Sequence, residues 1–169
     1  MNKAQILSTL GQEVKIVKHL FTKVKTENLN YAPAEKMRTL EELLRYLSYA
    51  GVASINWYCS DEDDETSKIT YKAYVSKAEN FAIENFATEM DAQLQEISVF
   101  LDKISEEDFA TKTVKIITGK VCTFNEAIVN TSLKYLTAYR LQLFIYLKQL
   151  GFGELNTFNC WMGIDKPMK

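Results

Sequence analysis

Three phenols and an amide recur at helical spacing in LKYLTAYRLQLFIYLKQLG, residues 133–151: Tyr135, Tyr139, Gln142 and Tyr146. Steps of four, three and four place them on one face of a helix. A face that serves only as core would be filled as well by leucine, so the hydroxyls and the amide leave three readings open. They fill the core of a helical assembly, each buried hydroxyl finding a hydrogen-bond partner. Alternatively, they converge in an apolar cleft and grip a small polar molecule. On the third reading they belong to a metal enzyme whose ligands the pattern does not display. A phenol suits that role poorly, because a group with a pKa of ~10 must lose a proton before it binds a divalent metal.

The other residues with chemical potential are more isolated. Arg140 points about 140° away from Tyr135 around the helix axis, which fits a structural ion pair or a surface position better than a substrate contact. Cys122 is a nucleophile by type, but no histidine stands near it in the pattern to act as its base, and it is assigned no catalytic role. The acidic run CSDEDDETSK, residues 59–68, offers oxygens to calcium but lacks the central glycine and closing glutamate of an EF-hand loop. It reads as a solvated loop.

The bulk properties narrow the partners. A chain of 169 residues fits one domain, residues 1–169, with a sizeable core. A formal net charge of −2 supplies no basic surface for counterion release, so nucleic acid is not an expected partner. Three widely spaced cysteines, Cys59, Cys122 and Cys160, give neither a disulfide framework nor a C-x-x-C pair and fit a reducing compartment. The N-terminal stretch becomes polar too soon for a secretory apolar region, and no run approaches the ~18 apolar residues of a membrane span. The expectation is a soluble cytoplasmic protein with no membrane partner.

The elements that must position the phenols are helices. Ile6, Leu10, Val14, Val17, Phe21 and Val24 form the stripe of a first helix over residues 6–24. His19, the only histidine, falls nearly opposite that stripe and is expected to face solvent. Pro33 breaks the chain, and a second helix follows with a stripe of Leu40, Leu43, Leu44 and Leu47, reaching Trp57. A third is expected over residues 71–104, burying Phe81, Met90, Leu94, Ile97 and Leu101. SEED, residues 105–108, reads as a helix-start cap. Thr118-Gly119 between β-branched runs suggests a small hairpin within residues 113–124. The last helix runs over residues 125–150 and is closed by Gly151 and Gly153 as left-handed caps. Phe158 and Trp161 in the tail are expected to dock on the assembly. Long helices with modest connections give an all-α four-helix bundle.

Two segments carry a resemblance. YAPAEKMRTLEELLRYL, residues 31–47, and the stretch quoted first resemble the signature regions of the DinB-like family, the damage-inducible fold also seen in metal-dependent thiol S-transferases. The resemblance implies that fold, a homodimer, and a divalent metal such as zinc or nickel held by three histidines, one after an R-T-L-x-E-L-L-like run and two in His-x-x-x-His-Arg-x-Gln-Leu. In this sequence those positions are Tyr46, Tyr135 and Tyr139, while Arg140, Gln142 and Leu143 match. The candidate pocket is therefore Tyr46, Tyr135, Tyr139, Gln142 and Tyr146, with no metal, no cofactor and no catalytic residue assigned. The leading expectation is a bundle that has lost its metal site and binds a small polar molecule or regulates. A metal-dependent thiol transferase and a purely structural module are the alternatives, separable by metal content and by whether a pocket exists at the tyrosines.

Overall fold

The computed structural model describes residues 1–59 and 64–166. Four helices form the bundle: α1 (Lys3–Phe21), α2 (Leu40–Cys59), α4 (Phe86–Asp102) and α7 (Lys134–Gln149). Helices α1 and α2 each pack against both α4 and α7. Their apolar stripes close the core, with Leu10, Leu44, Met90 and Leu143 among the side chains wholly removed from water. Helix α3 (Asp64–Asn80) lies outside, on α2. Among the described residues, no helix is long and apolar enough to cross a membrane.

Local chemistry explains the boundaries. Asn2 and Gln5 exchange backbone and side-chain hydrogen bonds at the start of α1, and Thr39 and Glu42 do the same ahead of α2. Ser105 accepts from the Asp108 amide and opens α5 (Glu106–Thr111), the cap expected from SEED. The hairpin is present: β1 (Thr113–Lys115) pairs antiparallel with β2 (Val121–Thr123), with Val114 opposite Cys122. Gly119 turns it at a φ of 83°. The last helix is α6 (Phe124–Ile128), a π-helical turn (Val129–Leu133) and α7 in sequence. The widened turn brings the Ser132 hydroxyl to the Gly51 carbonyl at 2.8 Å, a buried bond between α7's approach and the middle of α2.

Four expectations need correction. The helix expected over residues 71–104 is two helices, α3 and α4, separated by a corner at residues 81–85. No glycine or proline marks that corner. Arg45 makes it: its guanidinium donates to the carbonyls of Ala78 at 2.5 Å and Phe81 at 3.1 Å while pairing with Glu41, so a residue of α2 caps the end of α3. The acidic run is not wholly a loop. Residues 60–63 lie outside the described residues, but residues 64–68 are the first turns of α3, where a helix dipole favours negative charge. At the end of α7, Gly151 takes a φ of 95°, whereas Gly153 is not left-handed.

The fourth correction concerns His19, whose side chain is only 14% exposed. It does point away from the main stripe, but the C-terminal turn (Phe158–Met162) folds back over α1 and covers it. Its Nε2 lies 3.1 Å from the Asn159 side-chain amide and 3.6 Å from Asp165. Burial holds the imidazole below its usual pKa against the opposing pull of Asp165. The close approach depends on Gly163, at a φ of 64°, where a Cβ would stand 3.0 Å from the Ile16 Cα. Docking of the tail thus runs through buried Asn159 and Cys160. Phe158 is half-buried, and Trp161 remains 56% exposed with its ring against the Arg140 guanidinium.

Candidate phenol site between the second and last helices

The tyrosines gather where α2 faces α7. The rings of Tyr46 and Tyr139 meet edge to face with centroids 4.7 Å apart. Tyr49, one turn along α2, packs on Tyr46 at 5.3 Å, and Tyr71 from α3 packs on Tyr49 at 5.9 Å. Tyr135 completes the group from the start of α7, close enough to act electrostatically on Tyr46. Two helices and the outer α3 therefore build one cluster of five phenols.

Above it lies a cation. The Arg38 guanidinium carbon stands 4.3 Å from the centre of the Tyr46 ring and 5.5 Å from that of Tyr139. Arg38 precedes the Thr39 cap of α2, and its backbone is fixed from below, because the Tyr146 hydroxyl donates to the Arg38 carbonyl at 3.0 Å. That hydroxyl also accepts from the Gln142 side chain at 2.7 Å. Gln142 and Tyr146 thus spend their polar atoms on holding the segment that carries Arg38. Among the described residues, no protein acceptor meets the Arg38 guanidinium itself.

Beside the cluster opens a cleft of about 460 Å³. The segment before α2 contributes Lys36, Met37 and Arg38, α2 contributes Glu42, Arg45, Tyr46 and Tyr49, and α3 forms the far wall. Of the residues expected from sequence, Tyr46 lines this cleft. Tyr135 and Tyr139 belong to the phenol cluster, and Gln142 and Tyr146 hold the Arg38 backbone. Sequence reasoning missed Arg38, Lys36, Tyr49 and Tyr71. Two signals were available: Arg38 opens the R-T-L-x-E-L-L-like run, and Tyr49 stands at i+3 from Tyr46, on the same helix face.

Burial sets the ionisation of the phenols. It pushes Tyr46 well above the ordinary phenol pKa, reinforced by Tyr139 and Tyr71 and opposed by Arg38. Tyr49 and Tyr135 are raised for the same leading reason. A raised acid pKa in the fold means that the unfolded chain releases these protons first. Stability from these groups is therefore complete below about pH 10, the ordinary phenol value, and is lost as pH rises beyond it. Spectrophotometric titration at alkaline pH should show Tyr46, Tyr49 and Tyr135 ionising together with unfolding. These three phenols titrating near pH ~10 in a protein that stays folded would contradict this.

A divalent metal suits this arrangement badly. Tyr46 is held in its protonated form, which is a weak ligand, and Arg38 already places a positive charge over two of the three rings. Among the described residues, no three of His, Cys, Asp and Glu come together to provide another ligand set. Arg140, adjacent to Tyr139 in sequence, is turned to the opposite side. It is 1% exposed, pairs with Glu13 at 2.6 Å and donates to the Cys160 carbonyl. It is a structural ion pair that fastens the C-terminal turn to α1 and α7.

No protein-family model matches the sequence, and no curated protein matches it. Solved structures do. A DinB-like protein from Bacillus subtilis superposes with a TM-score of 0.65 at 14% identity, covering 91% of this chain and 97% of that one. A proposed member of the DinB family from Exiguobacterium sibiricum gives a TM-score of 0.69 at 15% identity, over 91% and 95% of the two chains. The chain has a DinB-like, all-α fold.

Proposed function

We propose that this DinB-like bundle is a metal-free binding protein that takes a small polar molecule in the cleft beside its phenol cluster. The observation that carries this reading is the Arg38 guanidinium, which lies over the Tyr46 ring and lines the cleft with its donors unmet by protein among the described residues. A guanidinium fixed by a ring face and by its own backbone is preorganised, so a ligand that meets it orders little on binding. The protonated phenol of Tyr46 adds a donor, and the rings add apolar wall, the mixture usual in small-molecule sites. These groups hold and orient, which favours a binding or regulatory role over catalysis.

A thermal-shift screen of polar metabolites tests the reading. At least one compound should raise the melting temperature of the wild type and fail to raise that of Arg38→Gln and Tyr46→Phe. Compounds that stabilise all three proteins equally would place binding elsewhere.

We further propose a cytoplasmic homodimer, the dimer resting on the family resemblance. Leu141 and Ile145, exposed one turn apart on α7, offer an apolar contact for a second copy. Sedimentation showing only a 19.4 kDa species at micromolar concentration would count against the dimer.

A further inference from the structure

We infer that the occupant of this cleft is a small organic monocarboxylate, gripped at its anionic end by Arg38 and Lys36 and along its body by the rings of Tyr46 and Tyr49. This deepens the reading above and rests on it.

Charge is the first argument. The cleft is lined by three cationic side chains, Lys36, Arg38 and Arg45, and by two carboxylates, Glu42 and Glu79. Arg45 is consumed by Glu41 and by the carbonyls at the end of α3. One oxygen of Glu42 accepts from the Thr39 amide in the cap of α2, and its charge stays beside the cap. With Arg45 paired to Glu41, Lys36 and Arg38 are the two lining cations without a carboxylate partner among the described residues, set against Glu42 and Glu79. A singly charged anion can meet Lys36 and Arg38 together. A phosphomonoester near its dianionic form would carry more charge than the cleft offsets and would meet the carboxylate of Glu79.

Geometry is the second. The guanidinium carbon lies 4.3 Å from the centre of the Tyr46 ring, and no protein acceptor meets its N–H groups among the described residues. A guanidinium edge matches the two oxygens of a carboxylate, which can accept paired, parallel hydrogen bonds. The remaining lining is apolar, from Met37, Val75, Ala78 and the two rings, and calls for an organic body. The volume, about 460 Å³, suits a molecule of a few tens of atoms at most.

Backbone strain is the third. Lys36 is the one residue other than glycine with a positive φ, 66°, among the described residues. A lysine gains nothing locally from the left-handed region, and such conformations persist where surrounding structure imposes them, often at binding sites. Here it sits at the mouth of the cleft, two residues from Arg38.

Calorimetry on the intact chain at neutral pH and low salt tests the inference with a defined panel. The probes are benzoate, phenylacetate and hexanoate, the three corresponding amides, and inorganic phosphate. At least one carboxylate should bind about tenfold or more tighter than its amide, and tighter than phosphate. Arg38→Gln should weaken that carboxylate by about tenfold and leave its amide unchanged. The substitution keeps the carbonyl that Tyr146 holds, so the fold is preserved. Lys36→Gly, which suits the positive φ and removes the second cation, should weaken the carboxylate by a smaller factor.

An amide that binds as tightly as its carboxylate, while Tyr46→Phe weakens both, would overturn the monocarboxylate and leave the cleft standing as a ligand site. Phosphate binding tightest of all would overturn it in favour of a different oxyanion. Carboxylate affinity unchanged in Arg38→Gln would overturn the assignment of the anionic end. No heat from any member of the panel would overturn both the carboxylate and the cleft.

Discussion

Arg140→Met should destabilise this protein by about 3–5 kcal/mol, the cost typical of removing one partner from a buried ion pair. Arg140 is 1% exposed and Glu13, its partner at 2.6 Å, is 12% exposed, so the carboxylate left behind is poorly reached by water. The substitution also strips the Cys160 carbonyl of its donor and the Trp161 ring of its cation. At about 2–4 °C per kcal/mol for a chain of this size, the melting temperature should fall by roughly 6–20 °C. Urea denaturation measures the loss directly. The double variant Glu13→Gln/Arg140→Met should recover a large part of it, since the stranded charge is then gone. A loss below about 1 kcal/mol would mean that solvent or another group replaces the arginine readily.

The second large effect is a gain. Changing Tyr46, Tyr135 and Tyr139 together to histidine should create a zinc site of about micromolar affinity, roughly 8 kcal/mol, where neutral imidazoles stand in place of phenols. The backbone positions face one another across α2 and α7, as the contact between Tyr46 and Tyr139 shows. Adding Arg38→Gln to the triple variant should tighten zinc further, because the guanidinium otherwise shares the space with the incoming cation. Titration with zinc followed by calorimetry reads both effects. A folded triple variant that ignores zinc and nickel would show that these three positions do not have the ligand geometry that the resemblance implies.

What was legible in the sequence was whatever local pattern encodes. The stripe of Leu40, Leu43, Leu44 and Leu47, the cap at Ser105 and the turn at Gly119 are each decided within a few residues, and each is where the pattern put it. The corner between α3 and α4 was not legible, because the residue that stabilises it, Arg45, is more than thirty positions away. His19 was misread for a related reason: helical direction tells which way a side chain points, but not that a distant turn will cover it. At the site, the family resemblance on α2 and α7 led to Tyr46, Tyr135 and Tyr139. Nothing periodic pointed to Arg38 or Lys36, which lie in an irregular segment and meet the phenols only through tertiary packing.

The same packing makes the central claim chemical. Where the resemblance read from the sequence implies three imidazoles around a dication, this chain holds a guanidinium over phenols, and a cation that is part of the chain cannot be exchanged or lost. Elemental analysis combined with native mass spectrometry of protein purified without added ions or chelators tests this most directly. The account predicts metal far below one equivalent and a mass equal to the chain, or to the chain with an organic ligand. About one equivalent of zinc, nickel or iron, retained through purification and lost on changing Tyr46 and Tyr139 to phenylalanine, would contradict it.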